Sequence, residues 1–425
     1  MAMNLSAASN NADQQMPPAS ADFAMAWAFL EEGLDHIMTR LQKGISYSKY
    51  MCLSIVAYNY CTSSRTHHTV GFPAGASLRC SELYNKLIQY FIAHLEDLKE
   101  QSDFLQDEVL LRYYAGEWDR YTAGSKYINR LFPYLNCHWV KYERNEGRKA
   151  IYPVYTLALV LWKTNFFSHM QGNLASAILR LIERQRNGES IDQDLVKKVV
   201  DSFVSLGLDD TDINKASLDV YREHLEIPLL EDTERYYEQE SKAFLAENSI
   251  SDYLKKAEER LQEEEDRVDR YLNAETRKQL IGKCEHVLIR QHAELMWESF
   301  QTFLDNDRDE DLQRMYALLS RIPEGLEPLR KRFAEHVKKA GRIAVSNLVG
   351  EGVDGADGLV LQAYMNVLSD VHLKNSETVS RCFEGDAGFV ASLDKACRDF
   401  VNAIGPSTIK AIQLVARYAN SFEQE

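Results

Sequence analysis

The sequence predicts an all-α protein, and three observations predict it. Apolar residues recur at helical spacing through nearly everything after Asp22. Helix formers dominate, and only 9 prolines and 20 glycines interrupt 425 residues. No convincing run of alternating apolar and polar residues marks a strand.

Residues 23–42 open the pattern, with Phe29, Leu30, Leu34, Ile37, Met38 and Leu41 on one stripe. Residues 47–62 form a second helix of a different kind. Nothing from Tyr50 to Ser64 is charged, in a chain that is 27% charged. At 100° per residue this helix carries two apolar stripes. Leu53, Val56, Ala57 and Tyr60 make one. Tyr47, Tyr50, Met51, Ser54, Tyr58 and Cys61 make another, roughly 120° or more round the cylinder. A surface helix needs only the first stripe. The second is either buried in a large core or kept for a partner.

Residues 63–77 hold three breakers and the adjacent His67 and His68, so they read as a loop. Helices are then expected over 78–100, 107–119 and 125–143, with a turn at Asn145-Glu146-Gly147-Arg148. In the last of these, Ile128, Phe132, Leu135 and Trp139 form a core stripe. Arg130, Tyr134, Cys137 and Lys141 lie on another side, with His138 at its edge. A Tyr flanked by Arg and Lys has the composition of an interface anchor. The bland alternative is a snorkelling rim around ordinary core.

The scheme then begins again. Helices are expected over 151–162, 174–187, 196–206, 217–246, 251–273, 275–306, 309–322, 326–348, 360–369 and 387–402. Tyr113-Tyr114 is echoed by Tyr236-Tyr237 after 123 residues. Tyr134-Leu135-Asn136 is echoed by Tyr271-Leu272-Asn273 and Phe400-Val401-Asn402, at intervals of 137 and 129 residues. Three degenerate helical repeats of that length suggest an elongated stack of bundles serving as a spacer or scaffold. The expected division is an arm over 1–20, repeats over 21–149, 150–285 and 286–415, and a short linker over 416–425.

Charge and chemistry narrow the function. A net charge of -15 and a pI near 5.3 argue against a general nucleic-acid binder. No apolar run reaches the ~18 residues of a membrane span. The seven scattered cysteines read as reduced thiols of an intracellular protein. Residues 1–20 lack a signal-peptide pattern and read as a disordered arm. Gly350-Glu351-Gly352-Val353-Asp354-Gly355 matches a dinucleotide fingerprint, but no strand feeds it, so it reads as an interhelical loop. Asp305-Asn306-Asp307-Arg308-Asp309 opens like a calcium loop, then places Glu310 and Tyr316 where Gly and Glu are needed. It reads as a turn with an aspartate N-cap. Cys284, His286 and His292 share no helical face, so no zinc is expected. Glu263-Glu264-Glu265-Asp266 reads as a solvated helix face. No catalytic residue, metal or cofactor emerges.

Several segments together carry a resemblance. Tyr50-Met51 with Tyr58-Asn59-Tyr60-Cys61-Thr62-Ser63, then Tyr134-Leu135-Asn136-x-His138-Trp139-Val140-Lys141, resemble the cullin family. So do Asn145-Glu146-Gly147-Arg148-Lys149, Asp232-Thr233-Glu234-Arg235-Tyr236-Tyr237 and Asp386-Ala387-Gly388-Phe389-Val390-Ala391. The likeness covers about residues 20–415 and looks most like the Skp-binding scaffold of SCF ubiquitin ligases. It implies three five-helix repeats in a curved stalk, without bond chemistry of its own. The second and fifth helices of the first repeat would grip the Skp adaptor with its F-box protein. Carried over by position, Tyr50, Met51, Ser54, Tyr58, Tyr134 and Cys137 are the contact residues, joined by Arg130, His138 and Lys141 from the same helix faces. Ser54 stands where a larger aromatic is expected, and Cys137 where an arginine is. In the family a further C-terminal domain holds the RING subunit and the lysine for the ubiquitin-like modifier, and an exchange factor embraces both halves. This chain resembles the N-terminal half alone, and the resemblance places it in cytoplasm and nucleus. A different helical-repeat tether, or an enzyme using the glycine loop, are the alternatives; the first would lack the quoted segments and the second would need strands.

Overall fold

A computed structural model describes residues 16–63, 74–208, 217–350 and 357–402. Among them the chain is helical, with no strand. It divides into two compact units, residues 1–229 with 270–273, and residues 230–269 with 274–425.

The first unit opens with α1 (Phe23–Arg40) and α2 (Tyr47–Thr62). Asp22 Oδ1 accepts the Met25 N–H at 2.9 Å, and Ser46 Oγ accepts the Lys49 N–H at 3.2 Å. Each cap satisfies a donor that the first helical turn leaves free. The two helices touch at Gly33, where an added Cβ would lie 2.4 Å from a Leu53 methyl. That approach seats the core stripe of α2. Next come α3 (Ala74–Ser102) and α4 (Asp107–Leu131).

Here the structure departs from the expected helices. The predicted break after Asp119 does not exist, because Tyr121 and Gly124 are buried and keep the α4 stripe continuous. The break lies instead inside the expected helix over 125–143. Pro133 has no N–H to give, and the chain leaves helical geometry at Phe132, with φ -112° and ψ 48°. It re-enters as a π-helical turn, Leu135–Val140, that runs into α5 (Lys141–Asn145). Asn136 fastens the kink. Its amide donates to the Asn129 carbonyl and side chain at 3.0 Å each, and its Oδ1 accepts the Val154 N–H at 3.0 Å.

α6 (Val154–Leu161), a π turn over Trp162–Phe167, α7 (Ser168–Arg186), α8 (Gln193–Ser205) and α9 (Asp219–Tyr221) complete this unit. Its centre is aromatic. Tyr114, Tyr121, Trp162 and Phe166 are all buried, and the Tyr121–Trp162 rings lie 4.8 Å apart.

The second unit takes up α10 (Ile227–Glu247) from Leu230 and α11 (Ile250–Arg270) to Asp269. α12 (Arg277–Leu288), α13 (Ala293–Asp305), α14 (Asp309–Leu319), α15 (Glu327–Gly350), α16 (Asp357–Cys382) and α17 (Ala387–Asn402) follow. The single helix expected over 275–306 is interrupted by a tight turn at Arg290–His292. The helix expected over 360–369 runs on to Cys382, because Val379, Cys382 and Phe383 still reach the core. Asp309 is not an N-cap: it is the first residue of α14, after Arg308, and Asp307 turns the chain at φ 50°.

The acidic run on α11 is not simply a solvated face either. Glu264 is wholly buried, accepting the Tyr237 hydroxyl at 2.6 Å and the Arg267 guanidinium at 2.7 Å. The segment Asp386-Ala387-Gly388-Phe389 also acquires a physical role. Asp386 accepts the Phe389 N–H at 3.0 Å and pairs with Arg330, whose guanidinium leaves no room for a Cβ at Gly388. Residues 1–15, His67 and His68, Glu351 to Gly355 of the glycine motif, and residues 416–425 lie outside the described residues, as do the side chains of Phe400-Val401-Asn402.

A candidate protein-docking face on the first unit

Burial sorts the two stripes of α2. Leu53, Val56, Ala57 and Tyr60 are buried in the first unit's core, as expected. On the other side Tyr47 is 79% exposed, Met51 37%, Ile55 40% and Tyr58 47%. These positions follow one another at helical spacing, so they make one continuous apolar stripe facing solvent. Tyr50 and Ser54 are half-buried along its edge. Cys61, expected on this stripe, is buried instead, because the end of α2 tucks under the Pro133 kink.

The kinked segment stands directly beside the stripe. The Tyr58 ring meets the Tyr134 ring edge-on at 5.6 Å and 87°, and Tyr134 lies 4.8 Å from the His138 ring. Such edge contacts fix both rings. Tyr134 is therefore not a projecting residue. It is only 8% exposed and forms the floor under Tyr58. The π turn then presents Cys137 and His138 to solvent, and Lys141 follows on α5. At the other end of the stripe, the Tyr50 hydroxyl reaches the Tyr127 carbonyl at 3.4 Å, and the Arg130 guanidinium lies 5.9 Å from the Tyr127 ring. Partial burial pushes the Tyr50 phenol up, while Arg130 pulls it the other way, so the hydroxyl stays protonated.

Of the nine residues singled out from sequence, Met51, Tyr58, Arg130, Cys137, His138 and Lys141 are exposed on or beside this face. Tyr50 and Ser54 border it, and Tyr134 supports it from beneath. Ile55, Tyr127 and Tyr142 were missed, although each is more than a third exposed. The absence of charge around Ile55 was a usable signal for it. Nothing near Tyr127 or Tyr142 sets them apart from ordinary rim residues. Among the described residues no cluster of three or more His, Cys, Asp or Glu is arranged for a metal, and no helix is long and apolar enough to cross a membrane. A convex aromatic stripe with a polar rim suits a protein surface rather than a small molecule.

The Cullin alpha solenoid domain matches residues 27–423. The chain belongs to the cullin family. It is 42% identical over 405 residues to Cullin-1 of Dictyostelium discoideum, a match covering 93% of this chain and 52% of that protein. Cullin-1 of Schizosaccharomyces pombe is 39% identical over 401 residues, with the same 93% and 52% coverage. Cullin-1 of Caenorhabditis elegans is 34% identical over 429 residues, or 94% of this chain and 54% of that protein. The chain thus spans about half the length of the curated relatives it matches. For this cullin the all-α class expected from periodicity holds among the described residues, and the α2 stripe lies within the matched domain.

Proposed function

We propose that this chain is the non-catalytic scaffold portion of an SCF-type cullin–RING ubiquitin ligase. Its first unit docks a Skp adaptor and, through it, an F-box substrate receptor. Residues 21–149, 150–285 and 286–415 act as three successive repeats of the scaffold. Its contribution to ubiquitin transfer is geometric: holding substrate beside a conjugating enzyme raises the effective concentration of the reacting groups.

One observation carries this reading. In a cullin similar to Cullin-1 proteins, an aromatic and aliphatic stripe on α2 is left facing solvent beside the Pro133 kink. Large apolar side chains grouped this way lose contact with water only when a partner covers them. The anchors are Met51 and Tyr58, with Tyr47 and Ile55 extending the contact. Truncating a central anchor of this kind typically costs about 2 kcal/mol or more of binding.

The test is titration calorimetry with a purified Skp adaptor–F-box pair. The chain carrying Met51→Glu and Tyr58→Ala should lose binding while its melting temperature stays close to wild type. Full-strength binding by that variant would sink the assignment of the face.

A further inference from the structure

The docking face has an electrostatic asymmetry that its apolar stripe does not explain. Residues 126–149 carry six basic side chains, Lys126, Arg130, Lys141, Arg144, Arg148 and Lys149, against two acidic ones, Glu143 and Glu146. The whole chain has the opposite balance, 49 basic to 64 acidic. Glu143 adds little outward charge, because it is buried and pairs with Arg148. Arg144 donates to the carbonyls of Lys149 and Ile151, which orients it without neutralising it. Lys126, Arg130, Lys141 and Lys149 are exposed, and no described carboxylate lies within ion-pair distance of any of them. Some exposed cations elsewhere in the first unit are matched, Arg112 to Glu108 and Asp192, Arg184 to Glu189 and Lys198 to Asp119, whereas Arg40 and Lys43 stand apart from Lys197 in the sequence. On α2 itself the one cation, Lys49, is matched to Glu32 at 3.2 Å. Four uncompensated cations thus gather on one flank of the stripe, along the end of α4 and the kinked segment.

We infer that the partner seated on the α2 stripe is an acidic protein surface, whose carboxylates face the Arg130–Lys141 flank while its apolar centre covers Met51 and Tyr58. This rests on the docking reading above and adds the chemistry of the partner and how it is found. On a protein of net charge -15, a cationic flank beside the stripe draws an acidic partner toward this face. The stripe then supplies lifetime, and the flank supplies orientation and speed. A nucleic acid is the less suitable occupant, because the centre of the site is apolar and the rest of the chain repels a polyanion.

Stopped-flow association of the intact chain with a Skp adaptor–F-box pair tests this. Between roughly 0.05 and 0.5 M salt the association rate should fall about tenfold or more, with dissociation little changed. Arg130→Glu with Lys141→Glu should lower the low-salt rate by about tenfold and flatten its salt dependence. Lys255→Glu, an exposed cation on α11, should do neither. All three positions are exposed, so unchanged melting curves show that the fold is intact. A rate insensitive to salt and to the double reversal, with binding still abolished by Met51→Glu, overturns the acidic-partner inference and leaves the docking face standing. Binding unaffected by either set of changes overturns both. Heparin or duplex DNA held by the same flank, and released by the double reversal, would assign it to a polyanion instead.

Discussion

Tyr114 in the first unit and Tyr237 in the second occupy the same place in a repeated Tyr-Tyr pair, and both are completely buried. Their hydroxyls are satisfied in opposite ways. Tyr114 accepts the Trp162 Nε1–H at 3.2 Å and lies 3.1 Å from the Ser202 hydroxyl, all neutral groups. Tyr237 donates to Glu264 at 2.6 Å, and that carboxylate also holds Arg267. The first unit closes its core with aromatic packing. The second closes it around an ion pair, with Arg260 nearby bridging Glu240 and Glu263. One sequence echo thus hides two energetic solutions, and they should fail differently.

The largest effect should come from breaking the ion pair on one side. Glu264→Ala leaves the Arg267 guanidinium, itself only 4% exposed, without its main counter-charge, and should cost about 3–5 kcal/mol. Replacing both, as Glu264→Leu with Arg267→Met, should recover most of that loss, because the desolvation penalty leaves with the charges. Chemical denaturation of the single and double variants measures both numbers. No recovery in the double variant would mean that the pair contributes net stability.

Tyr114→Phe is the matched change in the first unit and should cost less, about 1–2 kcal/mol. Only neutral partners are deprived there, and Ser202 still donates to the Val199 carbonyl at 2.6 Å. Were the two losses equal, the contrast between a charged and a neutral core would have no energetic content.

How much of this was legible beforehand depends on what each residue type signals. Helical periodicity marked the core stripes correctly, because burial of Leu53, Val56, Ile128 or Trp139 needs only the right spacing. The Met51–Tyr58 stripe was legible for the same reason, as apolar residues on the wrong face. The burial of Tyr134 is not legible from periodicity, which runs on as one helix across Pro133, whereas the kink turns that ring inward. The burial of Glu264 is hidden because a run of four acids has the pattern of a solvated face. Only the facing Tyr237 and the neighbouring Arg267 show that one of the four points inward. A carboxylate's partners come from other turns and helices, and local pattern does not name them.

The smallest contrast is in acid. His94 in the first unit, and His292 and His336 in the second, all titrate below the ordinary 6.5, and burial is the main cause for each. Lys242 adds to the effect at His292, whereas Asp305 opposes it at His336. The unfolded chain then takes up these protons at a higher pH than the folded one does. Stability is intact well above 6.5 and declines as the pH falls through that value toward the lowered folded ones. With two such histidines against one, the second unit should lose more protection than the first between about pH 7.5 and 5.5. Hydrogen exchange followed peptide by peptide reads the two units separately. His336→Gln should flatten the decline in the second unit while leaving the first unchanged, since the glutamine amide can still meet Gln301 without gaining a charge. An equal decline in both units would show that carboxylates, rather than these imidazoles, set the acid limit.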